Sequence, residues 1–208
     1  MKFSLNALNE SLANARKYKN LIVGFSGGLD SSVLLYGVLA LAKKGLLQSQ
    51  IKAIHVNHRQ NSACNDWELF CNQVCAKYGV HLDVKVIEDF NHQSRNINEN
   101  LLRQARYQAF SSAIDSENGL LLAHHKDDQL ETLLLRLNRG AGIKGLSAMQ
   151  KSRTIGAGHI YRPLLDFGRN SLEEFAKSEG LDWIEDSSNK DTSMDRNFLR
   201  HEILPRIE

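Results

Sequence analysis

Three cysteines in 208 residues, Cys64, Cys71 and Cys75, are too few and too closely spaced for a disulfide framework. An odd, clustered set suits a reducing compartment, where thiols stay reduced. Long apolar runs are missing as well. Nothing approaches the roughly 18 uninterrupted apolar residues of a membrane span, and the first residues lack the apolar stretch of a secretory leader. Instead Leu5, Leu8 and Leu12 fall on one face of a short amphipathic helix that Ser4 is placed to cap. A soluble, cytoplasmic chain with no membrane partner is the expectation. An excess of either charge is absent too: 26 lysines and arginines stand against 24 aspartates and glutamates, so the net charge of +2 selects no partner. There is no internal repeat and no low-complexity tract. A chain of this length buries a good core as one α/β domain with at most a small appendage.

What is present starts at residue 21. Leu21-Ile-Val-Gly-Phe25 suits a buried strand, Ser26-Gly27-Gly28 a turn, and Val33, Leu34, Leu35, Val38 and Leu39 the apolar side of a helix. Strand, glycine turn and helix start make an anion site. Glycines let the backbone approach a ligand, and the first free N–H groups of the helix favour phosphate. The spacing is neither Gly-x-x-x-x-Gly-Lys-Ser/Thr nor Gly-x-Gly-x-x-Gly. Asp30 is informative by its sign: a carboxylate beside phosphates repels them unless a cation lies between, which implies Mg2+ at Asp30. A helix cap formed by Ser26 or Asp30 is the plain alternative. The complete run between strand and helix favours phosphate, with Ser26, Gly27, Gly28, Leu29, Asp30 and Ser31 as the binding residues.

Further along, strand patterns at 51–57, 81–87 and 119–125 alternate with helical ones at 31–43, 66–78, 99–114 and 127–138, with a polar loop at 88–98. The alternation predicts a Rossmann-like parallel sheet with helices on both faces. Its core spans about residues 18–150, and 151–208 form an irregular and helical extension that completes the site. In such sheets ligands bind at the carboxyl ends of the strands. Those ends fall at Ser26, His55 to His58, near Glu88, and His124-His125. His55 is expected to line an adenine pocket, unless it is only a polar strand terminus.

Asp128 and Glu131 are three apart, hence on one helical face, and Leu130, Leu133, Leu134 and Leu137 form the opposite, buried side. Two carboxylates beside a strand end could hold a metal or an amine; as acids in a first turn they also stabilise the helix itself. Zinc spacing is absent around His124 and His125. Arg196 and Arg200, at i and i+4, are placed to stabilise a phosphoryl group gaining charge, or to salt-bridge along their own helix with Asp195 or Glu202. Between Arg136 and Arg169 the basic residues Arg136, Arg139, Lys144, Lys151, Arg153, Arg162 and Arg169 face the single acid Asp166. This local basic surface suits a nucleic-acid backbone or a solvated loop face equally. Cys71 and Cys75 lie one helical turn apart, a spacing for packing.

The run Ser26-Gly-Gly-Leu-Asp-Ser31 resembles the pyrophosphate loop of the N-type ATP pyrophosphatases, which cleave ATP to AMP and pyrophosphate. Four further segments resemble the tRNA(Ile)-lysidine synthetase family: His124 to Leu146, Arg162-Pro-Leu-Leu165, Glu185 to Pro205, and Arg103-Gln-Ala-Arg-Tyr107. That resemblance implies a ligase. ATP adenylates the C2 oxygen of the wobble cytidine in a CAU-anticodon tRNA(Ile), L-lysine displaces AMP through its ε-amine, and decoding changes from AUG to AUA. It implies ATP and Mg2+ at the loop, lysine on Asp128 and Glu131, and catalytic roles for Asp30, Arg196 and Arg200. It also implies tRNA facing Arg103, Arg106, Arg136, Arg139 and Lys144. The chain departs from the family at Arg59-Gln60, where Gly-Leu is common, and at Met194, near which a tyrosine is usual. The family commonly continues past the equivalent of Leu204-Pro205 into a helical tRNA-binding region, so residues 1–208 are expected to be the catalytic domain. A homodimer is left open. The rival functions are a tRNA thiolase of the same loop type, which would want a reactive cysteine pair, and a nucleotide-binding module without catalysis.

Overall fold

The computed structural model describes residues 1–59, 63–87, 99–142, 147–185 and 195–206. The first helix, α1 (Leu5–Ser11), starts where Ser4 accepts a hydrogen bond from the Ala7 backbone N–H at 3.2 Å. Its apolar face delivers Leu8 and Leu12 into full burial.

Strands β1 (Asn20–Gly24), β2 (Gln50–Asn57), β3 (His81–Val86) and β4 (Asn118–Leu121) alternate with helices α2 (Leu29–Lys43), α3 (Ala63–Lys77) and α4 (Glu99–Ala113). Side chains on a strand point alternately to opposite faces, and each central strand feeds two separate cores. Leu21 and Val23 of β1 join Ala53 and Leu121 in a core under α1, α2 and α3. Ile22, Ile54 and Leu120 join Phe110 of α4 and Ile114 just after it in the other. Helices therefore cover both faces, as the sequence predicts.

After β4 come α5 (Lys126–Asn138), β5 (Ser152–Ile155), β6 (Gly158–Tyr161), α6 (Arg169–Ser178) and the short α7 (Asp195–Phe198). A π-helical turn, Leu199–Ile203, and a 3-10 turn, Leu204–Arg206, follow. The sheet order is β3-β2-β1-β4-β6-β5. All neighbours are parallel except β5, which pairs antiparallel with β6 at the edge. The β5–β6 hairpin lies in the stretch expected to be irregular. Its strands are four residues long and β5 is largely exposed, so neither carries an alternating apolar pattern. Gly158 lets β6 close onto α4: a Cβ there would stand 2.3 Å from Ile114 Cγ2.

The chain runs outward from β1 through β2 to β3, then returns through α4 to β4 on the other side of β1. The carboxyl ends of β1 and β4 flank the point where strand order reverses, which is where open α/β sheets bind ligands. Ser26 follows one strand and His124-His125 the other. Glu88 and the rest of the 88–98 loop lie outside the described residues. Among the described residues, no helix is long and apolar enough to cross a membrane.

Candidate active site

The loop after β1 is tied by its own side chains. Ser31 Oγ donates to the Gly28 carbonyl at 3.0 Å, accepts from the Ser26 backbone N–H at 3.3 Å and lies 3.1 Å from Ser26 Oγ. The Gly28 N–H donates to Ser26 Oγ at 3.3 Å. From the far end of the chain, the Ile184 N–H donates to the Gly27 carbonyl at 2.9 Å. Gly27 has φ +82, and a Cβ there would lie 3.2 Å from both Cys71 Sγ and Phe70 Cδ1. Left-handed backbone and close packing both call for glycine. Gly28 is the N-cap of α2 and supplies no side-chain acceptor, so the 15-residue helix opens uncapped behind the loop. Leu29 is buried and anchors the first turn.

His55 sits buried against this loop. It is 4% exposed, with Nδ1 2.9 Å from the Phe25 carbonyl and 3.5 Å from Cys71 Sγ. Burial lowers its pKa. Burial also pushes the Cys71 thiol up to about 12 and the Cys75 thiol to about 11. All three cysteines are buried and form no disulfide. Cys71 and Cys75 pack as small apolar residues, and their burial suppresses thiolate chemistry.

The second half of the site comes from α5. Its N-cap is His125, whose backbone N–H donates to Asp128 Oδ2 at 2.9 Å. The His125 ring is 1% exposed, and its Nε2 stands 3.6 Å from both Asp30 Oδ2 and Asp128 Oδ2. Burial alone would lower its pKa, but the Asp30 and Asp128 carboxylates outweigh that and raise it. A buried imidazole ring thus joins the loop carboxylate to the α5 carboxylate. Asp30 Oδ1 is buried with no hydrogen-bond partner among the described residues.

Glu131, also 1% exposed, receives Arg200: Nε donates to Oε1 at 2.7 Å, and Nη2 lies 2.7 Å from the same oxygen. Nη2 reaches Asp128 Oδ1 at 3.4 Å. The carboxylate pair therefore closes on an internal cation. Burial raises the Glu131 pKa against the opposing pull of Arg200. Arg200 is carried by the π-helical turn, a widened backbone that is frequent at functional sites. Arg196, just before that turn in α7, adds positive potential at both His124 and Glu131.

The residues expected to face RNA separate. Arg106, on exposed α4, bonds His58 Nε2 with Nη2 at 3.3 Å. Arg103 stacks on Tyr107, its guanidinium carbon 5.2 Å from the ring centroid. Arg136 donates to the Ser147 carbonyl, and Arg139 caps α5 in solvent. Lys144 lies outside the described residues. Sequence reasoning missed the bridging place of His125, because a His-His pair ending a strand does not reveal which ring turns inward. Nor does the i, i+4 spacing of Arg196 and Arg200 disclose that Arg200 reaches back to α5. Among the described residues, no group of three or more His, Cys, Asp or Glu is arranged to hold a metal.

The sequence is 46% identical over 198 residues to the tRNA(Ile)-lysidine synthase of Legionella pneumophila (strain Paris), covering 95% of this chain and 44% of that protein. It is 44% identical over 200 residues to the protein of the same name from Pseudomonas aeruginosa, again with 96% and 44% covered. The chain thus spans less than half the length of these curated relatives. Among solved structures, the U34-tRNA thiolase NcsA from Methanococcus maripaludis, with its [4Fe-4S] cluster, superposes with a TM-score of 0.72 at 16% identity. That match covers 98% of this chain and 77% of the thiolase. The NMN synthetase from Francisella tularensis follows at a TM-score of 0.54 and 12% identity, covering 95% and 87%. These two likenesses are of fold alone. The PP-loop domain family matches residues 2–207, nearly the whole chain, and this protein belongs to it.

Proposed function

We propose that the chain is the catalytic domain of a tRNA(Ile)-lysidine synthase, joining lysine to C2 of the wobble cytidine of a CAU-anticodon tRNA at the expense of ATP. One observation carries the reading: His125 links Asp30 of the phosphate loop to Asp128 of the carboxylate pair at 3.6 Å each. Nucleotide and amine subsites then share one wall. The names of the relatives support the choice of lysine and tRNA(Ile).

In this reading the Ser26–Ser31 loop and the uncapped start of α2 hold the triphosphate. The orphaned Asp30 Oδ1 fits Mg2+, an ion that keeps most of its waters and takes one or two carboxylates plus phosphates. When bound, that ion neutralises phosphate charge. The O2 atom of the cytidine attacks the α-phosphorus, the α–β bridging bond breaks, and pyrophosphate leaves. An incoming ammonium takes the place of Arg200 on Asp128 and Glu131, which releases a guanidinium toward the phosphoryl group. With its pKa raised by burial, Glu131 accepts the proton of the amine more readily than an ordinary carboxylate. The neutral amine attacks C2, and AMP departs with the former O2. His55 acts on the nucleotide only through the loop that it supports. The thiolase reading finds no support in the cysteines: all three are buried, and burial raises the pKa values of the close pair Cys71 and Cys75.

The test combines this chain with ATP, lysine and a CAU-anticodon tRNA. AMP is released only when all three are present, and mass spectrometry finds lysine added at the wobble cytidine. Sulfur gained at that nucleotide, or AMP release indifferent to lysine, sinks the proposal.

A further inference from the structure

Beside the catalytic cleft, three guanidinium groups converge on one phenol. Tyr107 stands on α4 with its ring edge-on to Phe110, 6.2 Å between centroids, and packs against the core of that sheet face. Arg153, from the exposed edge strand β5, lies over the ring at 4.5 Å from guanidinium carbon to centroid, and Arg103 at 5.2 Å. Arg162, directly after β6, reaches the phenol oxygen with Nη2 at 3.5 Å. The segments are far apart in sequence, and the sheet order brings them together.

Arg162 is the decisive member. Only 4% of it is exposed, Nη1 donates to the Gln150 carbonyl at 2.7 Å, and Nε is buried without any partner. Neither it, Arg103 nor Arg153 has a carboxylate partner among the described residues. Asp166, the only acid between Arg136 and Arg169, is bound by Lys151 at 2.5 Å. A buried cation with only neutral partners is costly, and two further cations beside it add repulsion. An anion from outside would relieve both costs. Tyr107 supplies the link. Its oxygen accepts from Arg162, which leaves its own O–H free as a donor beside the two stacked arginines.

Resting on the RNA reading above, we infer that Tyr107, Arg103 and Arg153, backed by Arg162, form a cradle for a backbone phosphodiester of the substrate RNA next to the reacting nucleotide. Phosphate suits the place better than a small carboxylate. Arg153 and Arg103 lie at the solvent rim, and guanidinium groups bind phosphate oxygens through paired donors.

The experiment titrates the full chain with a CAU-anticodon stem-loop RNA at several salt concentrations. Arg153→Ala, at an exposed position, lowers affinity on the order of tenfold and makes the log-affinity against log-salt slope shallower by about 0.7, the share of one phosphate on a single strand. Tyr107→Phe lowers affinity while leaving the slope unchanged, because the lost donor is neutral. Unaltered melting temperatures show that both variants fold. If the unaltered chain forms no complex, this inference and the RNA reading fail together. If the complex forms but affinity and slope are the same in both variants, only this inference fails. A rise confined to the lysine KM, with RNA affinity intact, assigns the arginines to the amino acid's carboxylate and overturns the phosphodiester.

Discussion

Gly27 concentrates the demands that the phosphate loop makes on a single residue. A side chain at φ +82 costs about 1–2 kcal/mol, and the Cβ would press on Cys71 and Phe70 at 3.2 Å. Gly27→Ala is therefore expected to lower the melting temperature and, by shifting the loop against α2, to weaken ATP binding measured by calorimetry. A variant that binds ATP as the parent does removes the rigid-loop argument. The glycine was legible in the sequence because its spacing to strand and helix was. His55 was not. As a polar residue ending a strand it suits a pocket wall or a buried support equally, and the choice depends on Cys71 from α3 lying beneath it. His125 is the converse case: its value lies in being equidistant from Asp30 and Asp128, a property of two strand ends that no local pattern encodes.

Helices of 13 to 15 residues, such as α2, α4 and α5, were readable to within a few residues, but the leucine side expected to be buried on α5 is only partly covered: Glu131 is the buried residue of that helix and Leu137 is 49% exposed. The four-residue β5 and β6 were not, since an edge hairpin with one solvated strand shows no period of two. The π-helical turn after α7 is equally silent, because its sequence Leu199-Arg-His-Glu-Ile203 reads as ordinary helix. That turn and α5 meet through Arg200 and Glu131, and their joint stability can be tested. Glu131→Gln leaves the guanidinium facing a neutral amide. The cost falls below the roughly 3–5 kcal/mol of a fully buried pair, because the Arg200 side chain is 28% exposed. A lower urea midpoint is expected in Glu131→Gln, with most of it recovered in the double variant Glu131→Gln/Arg200→Met. Additive losses in the double variant would show that the two groups are not coupled.

At the scale of the whole molecule, one reversal of strand order gathers the ionisable groups on one edge of the sheet, and their protonation couples the site to folding. Burial and the charge of Arg106 hold His58 down to about 4, and burial together with Arg162 and Arg103 holds His124 down to about 4. His55 is lowered by burial as well. In the unfolded chain these rings titrate near 6.5. Below that pH the unfolded state binds protons that the folded state refuses, so their stabilising effect is present above pH 6.5 and lost as pH falls toward 4. His125 runs the other way. Its pKa is raised, so its contribution is full below 6.5 and fades as pH rises through the folded value. Three lowered rings against one raised ring predict a fold that weakens on acidification. The urea midpoint is expected to drop between pH 7 and pH 5. In His58→Gln the accompanying loss of unfolding free energy shrinks by about 1 kcal/mol, less than the full linkage because the ring is partly exposed. A midpoint that rises on acidification would mean that His125, with its two carboxylates, dominates the balance and that the buried rings on the arginine side are already charged at neutral pH.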